Sequence, residues 1–477
     1  MEKNKKGISA IHLTMLALGT VIGGSFFIGS SVAINAAGPS IIIAYIFGAV
    51  LVYYILYAMS EMTVANPDCG SFRTFAAQAF GARTAFVTGW IYWSGMVLSM
   101  SSEATASAIL IRQWLPQVPM SVLGSVIIIG VTLINLLGAQ KLSTLESALA
   151  GVKVLAVVSF ILFGILLLTG FLSGQPAVGL GALTREPFLP GGVRGLLGSL
   201  LIVMFSYCGF EVIGLAASEA KDVLKTIPKA IRYTVFSLVV LYILYISVLL
   251  PLIPTAILDE NTSAIVASLS RHGIGWAGTV IGAVIVSAIL STMLATMFGL
   301  GRMMRSLARE HQAPAWLREQ TDVPYRGIVT SGAVMLATLW FGLLLPRVYL
   351  FLLSAGGFAI LFTYAVMMAS HLRFRKKFGC PPNGKCQMRG YPYTSVFVLV
   401  SLIAAIASMP FIKGQTSGLI AGIFLLILFE VSYSVMTYLR NRRKDGISFP
   451  VDKRPNMATE FSEELTDTDS IEQKDDP

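Results

Sequence analysis

Long apolar runs separated by short polar loops repeat along the chain from about Ile8 to Leu439. Each is near the ~20 residues that cross a hydrocarbon layer of about 30 Å. The pattern predicts twelve helices, over residues 8–36, 38–65, 84–111, 121–138, 146–172, 195–218, 229–253, 274–300, 328–345, 348–370, 394–411 and 417–439. Two of the runs are broken near their middles by small residues. The first contains Leu18-Gly19-Thr20-Val21-Ile22-Gly23-Gly24-Ser25-Phe26, and the sixth contains Phe205-Ser206-Tyr207-Cys208-Gly209-Phe210-Glu211. Glycine costs ~1 kcal/mol relative to alanine within a helix. Backbone freed inside a bilayer is tolerated only where it lines a cavity or is buried in protein.

Segments one to five and six to ten each begin with an interrupted helix. That is the arrangement expected of two five-helix repeats of inverted topology, with a substrate site where they meet. The expected fold class is therefore an all-α integral membrane protein. Its parts are an N-terminal segment at 1–7, a first repeat at 8–172, a second at 195–370, two further helices within 394–439, and a tail at 440–477. The tail gathers Glu460, Glu463, Glu464, Asp467, Asp469, Glu472, Asp475 and Asp476 among Thr and Ser, a composition that cannot bury enough apolar surface to order itself. The first run lacks a short apolar core followed by a small-residue cleavage site, so it is read as retained.

Composition agrees: of 477 residues 55% are hydrophobic and 13% charged, against about 25% charged in soluble domains. The net charge of +10 invites a nucleic-acid partner, but its distribution points to a membrane. With the N-terminus placed inside, the loops on the opposite side carry only Arg112, Arg185, Arg194, Arg271, Arg347 and Lys413. Apart from Lys153, the remaining lysines and arginines fall inside, which is the positive-inside signature. A cell-membrane protein with both termini cytoplasmic is expected, with the lipid bilayer and a small molecule as partners and neither nucleic acid nor an obligate protein partner. Cys380 and Cys386 fall in an expected cytoplasmic loop, where thiols usually stay reduced. A metal there would need two more ligands, and His371 alone is near in sequence, so neither metal nor cofactor is expected. His12, His272, His311 and His371 all fall at span ends or in loops, and none reads as a ligand.

The breaks supply the candidate chemistry. Gly23, Gly24 and Ser25 can unwind the backbone, and the half-helix beyond them begins with positive partial charge, a natural seat for a carboxylate. In the sixth run Phe205 and Tyr207 can wall a pocket around Cys208, and Gly209 lets the backbone turn. Glu211 lies too deep to reach water easily, and an ionisable group at that depth marks a functional site or a hydrogen bond to a neighbouring helix. Lys153 has no acid one helical turn away; it can titrate and carry a proton, or stay charged and replace a bound Na⁺. Snorkelling would need a longer reach. Glu103, nearer the outer end of the third run, is a packing partner or a site lining. Ser287, Ser291, Thr292 and Thr296 place hydroxyls along the eighth helix, able to meet Lys153 or the first-break carbonyls, or to bond back to their own helix.

These blocks resemble the bacterial amino acid permeases of the amino acid–polyamine–organocation superfamily, in its amino acid transporter branch. The resemblance rests on Gly19 to Ser30, Glu61-Met62, Gly89-Trp90-Ile91-Tyr92-Trp93, Glu103, Glu146 with Lys153-Val154, Tyr207 to Glu211 and Ile227-Pro228-Lys229-Ala230. It rests also on Ser287 to Ser291 and Gly301-Arg302-Met303-Met304-Arg305. The chain departs from the family at Gly23-Gly24-Ser25, where Gly-Ser/Thr-Gly is usual, and at Asp222-Val223, where Asn-Pro is usual. The resemblance implies a LeuT-type fold and amino acid uptake by alternating access. It implies that Val21, Gly24 and Ser25 meet the substrate carboxylate, that the carbonyls of Phe205, Tyr207 and Cys208 meet its amino group, that Lys153 stands in place of sodium, and that Glu211 serves gating. The reading is a proton-coupled permease for a neutral amino acid. An uncoupled exchanger or facilitator is one alternative, and an amino-acid sensor without transport is another. An enzyme is not expected, since no His/Asp/Glu cluster of metal-ligand or protease type occurs in the runs.

Overall fold

The computed structural model describes residues 9–65, 72–171, 176–215, 220, 222–261, 263–321, 323–380 and 386–442. The expected N-terminal segment 1–7 and all of the tail beyond residue 442 lie outside them. Among the described residues the regular elements are helices. In order they are α1 (Ala10–Val21), a π-helical turn (Ser25–Gly29), α2 (Ser30–Ala37), α3 (Ile41–Ala65), α4 (Phe72–Phe80), α5 (Ala82–Ile111), α6 (Met120–Asn135), α7 (Ala139–Thr169) and α8 (Gly192–Ser206). Then follow α9 (Val212–Leu215), α10 (Val223–Leu252), α11 (Ala264–Arg271), α12 (Gly275–Arg309), α13 (Tyr325–Leu343), α14 (Val348–Phe378), α15 (Tyr393–Ala407) and α16 (Gln415–Arg442).

Eight runs among the described residues are long and apolar enough to cross a membrane: 25–65, 151–169, 224–252, 278–309, 325–343, 348–378, 393–411 and 415–439. Three further apolar helices, α1, α6 and α8, are shorter. Two of these stop where the breaks interrupt them. α5 is 30 residues long, but Ser99, Ser101, Ser102, Glu103, Thr105 and Ser107 make its middle polar. All six of those side chains are buried, so this polarity faces the protein interior.

The bundle forms around α14, which packs on α5, α16, α15, α4, α8 and α3. Small residues permit the tightest of these contacts. A Cβ added at Gly95 of α5 would lie 2.6 Å from that of Ala359 on α14, and one at Gly356 would lie 2.8 Å from Ser99 Oγ. At the periphery, α16 turns Ile420, Ile423, Phe424, Ile427, Val431 and Val435 outward, the apolar outer face that a lipid-contacting helix requires.

Two helices fall in stretches read as loops. Both are short and amphipathic: α4 buries Phe72, Phe75 and Ala76, and α11 buries Ile265, Val266 and Leu269. Such segments escape a search for runs of bilayer length. A third difference concerns the loop after α14. Cys380 and Cys386 form a disulfide, with Cα atoms 5.2 Å apart, where free thiols were expected. That expectation rested on compartment alone, and two cysteines six positions apart can meet whenever the chain between them turns back.

Candidate functional site

α1 ends at Val21, and Ile22 and Gly23 leave helical geometry before the π-helical turn takes over. Such turns mark functional sites in many helices. The Phe26 and Phe27 N–H groups donate to Gly23 O at 3.1 and 3.4 Å. The two N–H groups before them find no such carbonyl. Gly24 N donates to Glu103 Oε2 at 2.5 Å and Ser25 N to Glu103 Oε1 at 3.2 Å. A carboxylate held by two backbone donors at the start of a helical segment is the anion-binding arrangement expected of this break. Glycine is required for the approach, because a Cβ at Gly24 would lie 2.6 Å from Glu103 Oε2 and 3.1 Å from Ala106 Cβ.

The other pole of the same break is also occupied. The last turn of α1 presents unpaired carbonyls with negative partial charge. Lys153, 1% exposed on α7, donates from Nζ to Gly19 O at 2.7 Å and to Thr292 Oγ1 of α12 at 2.7 Å. Thr292 Oγ1 in turn lies 3.4 Å from Ile22 O. An ammonium thus caps the end of α1 and ties it to α7 and α12.

The sixth run breaks as expected. α8 stops at Ser206, residues 207–211 form turns, and α9 begins at Val212. Gly209 adopts φ +112°, a region that side chains other than glycine's rarely enter. Its carbonyl accepts from Thr20 Oγ1 at 2.9 Å, so the two breaks touch directly. Tyr207 stacks on Tyr242 with centroids 4.6 Å apart and donates to Tyr45 O at 3.0 Å. Tyr242 OH donates to Ser206 O. The Glu211 carboxylate is buried and gathers donors from three elements: Gly209 N at 2.8 Å, Tyr364 OH of α14 at 2.9 Å and Tyr92 OH of α5 at 3.3 Å. Cys208 Sγ sits 3.7 Å from it.

The structure therefore brings Val21, Gly23, Gly24, Ser25, Glu103, Lys153, Thr292, Phe205, Tyr207, Cys208, Gly209 and Glu211 to one largely buried region around the two breaks. Its two carboxyl groups are shielded from solvent, with Glu103 4% and Glu211 2% exposed, while Cys208 and Gly209 are partly exposed. Of the eighth-helix hydroxyls Thr292 meets Lys153; Ser287 donates back to Val284 O at 2.7 Å, and Ser291 is buried on the same helix.

Sequence reasoning missed the tyrosines on Glu211. Tyr92 lies in the aromatic block from Gly89 to Trp93, but nothing local says which helix faces it. It also misplaced His371. α14 runs past the expected end of its span at residue 370, so His371 is fully buried. Its Nε2 lies 2.8 Å from Glu61 Oε2 and its Nδ1 3.2 Å from Ser395 Oγ. Glu61 also accepts from Gln387 N and Met388 N at 2.6 and 2.7 Å, which fastens the segment before α15 to α3.

A hydrogen bond to a charged group contributes about 1.5–3 kcal/mol. Tyr364→Phe is therefore expected to slow solute exchange by about tenfold, measured in reconstituted vesicles. An unaltered rate would leave the Glu211 cap to Tyr92 and Gly209.

Comparison with known proteins adds a second line. The family model described as "Amino acid permease" matches residues 12–445. The uncharacterized amino acid permease YvbW of Bacillus subtilis is 33% identical, over 90% of this chain and 97% of its own length. The gamma-aminobutyric acid permease of Escherichia coli is 32% identical, over 78% of this chain and 80% of its own. The probable threonine/serine transporter YbxG of Bacillus subtilis is 30% identical, over 90% and 95%.

Proposed function

The chain belongs to the amino acid permease family, a multi-pass membrane protein of the amino acid–polyamine–organocation superfamily, and from that premise we propose that it takes up a neutral amino acid by alternating access, coupled to protons. In this reading ten of twelve membrane-crossing segments form two inverted five-helix repeats of LeuT type, the last two lie outside the repeats, and both termini are cytoplasmic. The eight long apolar runs and the one-sided basic loops support it.

One observation carries the reading. Two interrupted helices meet through Thr20 and Gly209, and the first turns a pair of backbone N–H groups toward a carboxylate. The substrate α-carboxylate would take those donors, and its amino group would meet sixth-run carbonyls at Phe205, Tyr207 and Cys208. Bonding between Lys153, Gly19 O and Thr292 favours the charged, sodium-replacing role over proton carriage by the lysine. Net neutrality of the substrate is supported because Lys153, Glu103 and Glu211 are each engaged by the protein's own groups. The substrates named for two of the relatives, γ-aminobutyrate and threonine or serine, also carry no net charge.

Uptake of a panel of amino acids into proteoliposomes tests the proposal. Accumulation is expected with an inward proton gradient and to be indifferent to Na⁺. Exchange without gradient-driven accumulation would instead identify an exchanger, and binding without either would identify a sensor.

A further inference from the structure

The two N–H donors that a substrate carboxylate needs are not vacant. Glu103 reaches across from α5 and holds both, one with each carboxylate oxygen. It is a carboxylate of the protein's own, tethered at the seat assigned above to the substrate's. Two carboxylates cannot share one pair of donors, and two like charges at that spacing cannot both stay ionised. Resting on the permease reading, we infer that Glu103 is a built-in competitor for the substrate carboxylate, that its protonation vacates the Gly24 and Ser25 N–H groups, and that the coupling proton rides on it.

The sequence of events follows from the geometry. In the empty carrier, ionised Glu103 neutralises the positive end of the half-helix. A proton added to one oxygen removes the charge and weakens both bonds, because charge-assisted hydrogen bonds are roughly twice as strong as neutral ones. The substrate carboxylate then takes the donors, and neutral Glu103 turns its new O–H to it or to a neighbour. Substrate release to the other side reverses the exchange: Glu103 returns to the donors as it loses its proton. One proton moves with one substrate.

The surroundings leave this role to Glu103. The titratable groups that act on it are Lys153 of α7 and Tyr349 of α14. α6 carries none. The nearest on α12, Arg302, lies thirteen residues along the helix from Ile289, which packs on Gly24, or about 20 Å by helical rise. Elsewhere around α5, Arg73 of α4 pairs with Glu310, Glu430 of α16 with Arg83, Tyr364 with Glu211 and His371 with Glu61. On α13, Tyr325 and Arg326 stand in the first turn, whose neighbour on α12 is Gly301, twelve residues along that helix from Ile289, or about 18 Å by helical rise.

The experiment is substrate binding against pH. Purified protein in nanodiscs is titrated with γ-aminobutyrate, L-threonine, L-serine and L-alanine, and proton uptake is read with a dye in weak buffer. For wild type, affinity is expected to fall about tenfold per pH unit once Glu103 ionises, with about one proton taken up per substrate bound. In E103Q the pH dependence is expected to flatten and the proton uptake to vanish. If E103Q does not fold, E103D serves instead: its carboxylate, drawn back by one methylene, competes less, so its pH dependence is shallower than that of wild type. A wild type that exchanges an amino acid in counterflow, yet binds it independently of pH without proton uptake, overturns the inference alone. So does an E103Q variant that keeps the wild-type pH profile. A wild type that exchanges none of the panel at any pH overturns the permease reading and this inference with it.

Discussion

Lys153→Ala is expected to abolish proton-driven accumulation, cutting it at least about tenfold in proteoliposomes that hold an inward proton gradient. The effect originates at the end of α1. A helix of 12 residues leaves carbonyls of its last turn without intrahelical partners, and their partial charge is negative. The Lys153 ammonium supplies two bonds of 2.7 Å, to Gly19 O and to Thr292 Oγ1, and each buried polar group left unpaired costs about 1–3 kcal/mol. Alanine deletes the charge and both bonds, so α1 loses its tie to α7 and α12. One such bond is already worth about a tenfold shift in the conformational equilibrium on which alternating access depends. Accumulation at the wild-type level, with the wild-type response to pH, would sink the role given to Lys153.

The same residue shows how far the chain could be read without coordinates. The depth of Lys153 in its run follows from counting, and its burial follows from a distance to the helix end longer than its side chain comfortably reaches. That its partners are Gly19 and Thr292 does not follow, because both lie on other helices and helix azimuth is a tertiary property. Glu103 is the sharper case. Its depth was legible, and its two possible uses could be named, but its reach to Gly24 and Ser25 depends on how α5 is rotated. Tyr92 and Tyr364 were hidden for the same reason. The breaks were legible because Gly23-Gly24 and Gly209 violate helix propensity in places where hydrophobicity demands a helix. Helix ends were less so: apolar scoring stopped the tenth run at residue 370, while α14 continues to Phe378 because buried His371 finds Glu61 and Ser395. Short amphipathic helices such as α4 have no bilayer-length signature at all.

Gly209→Ala is expected to lower counterflow exchange to below about a tenth of wild type while the protein still inserts and stays monodisperse. Two independent effects act in the same direction. The backbone at φ +112° is strained for any residue with a side chain, by about 1–3 kcal/mol. The added methyl has nowhere to go, since its carbon would lie 2.8 Å from Thr20 O, 2.9 Å from Thr20 C and 3.1 Å from Val21 N. These are backbone atoms at the end of α1, and backbone cannot swing aside as a flexible side chain can. Relief comes from parting the two broken helices, which loses the 2.9 Å bond from Thr20 to the Gly209 carbonyl. It also disturbs the 2.8 Å bond from the Gly209 N–H to Glu211. Gly151→Ala is the control. That glycine lies on α7 with nothing within 4 Å of an added Cβ, and alanine is the better helix former by about 1 kcal/mol, so exchange is expected to stay within about twofold of wild type. If both variants exchange at the same rate, the contact between the breaks is incidental packing and the site assigned to it must be sought elsewhere.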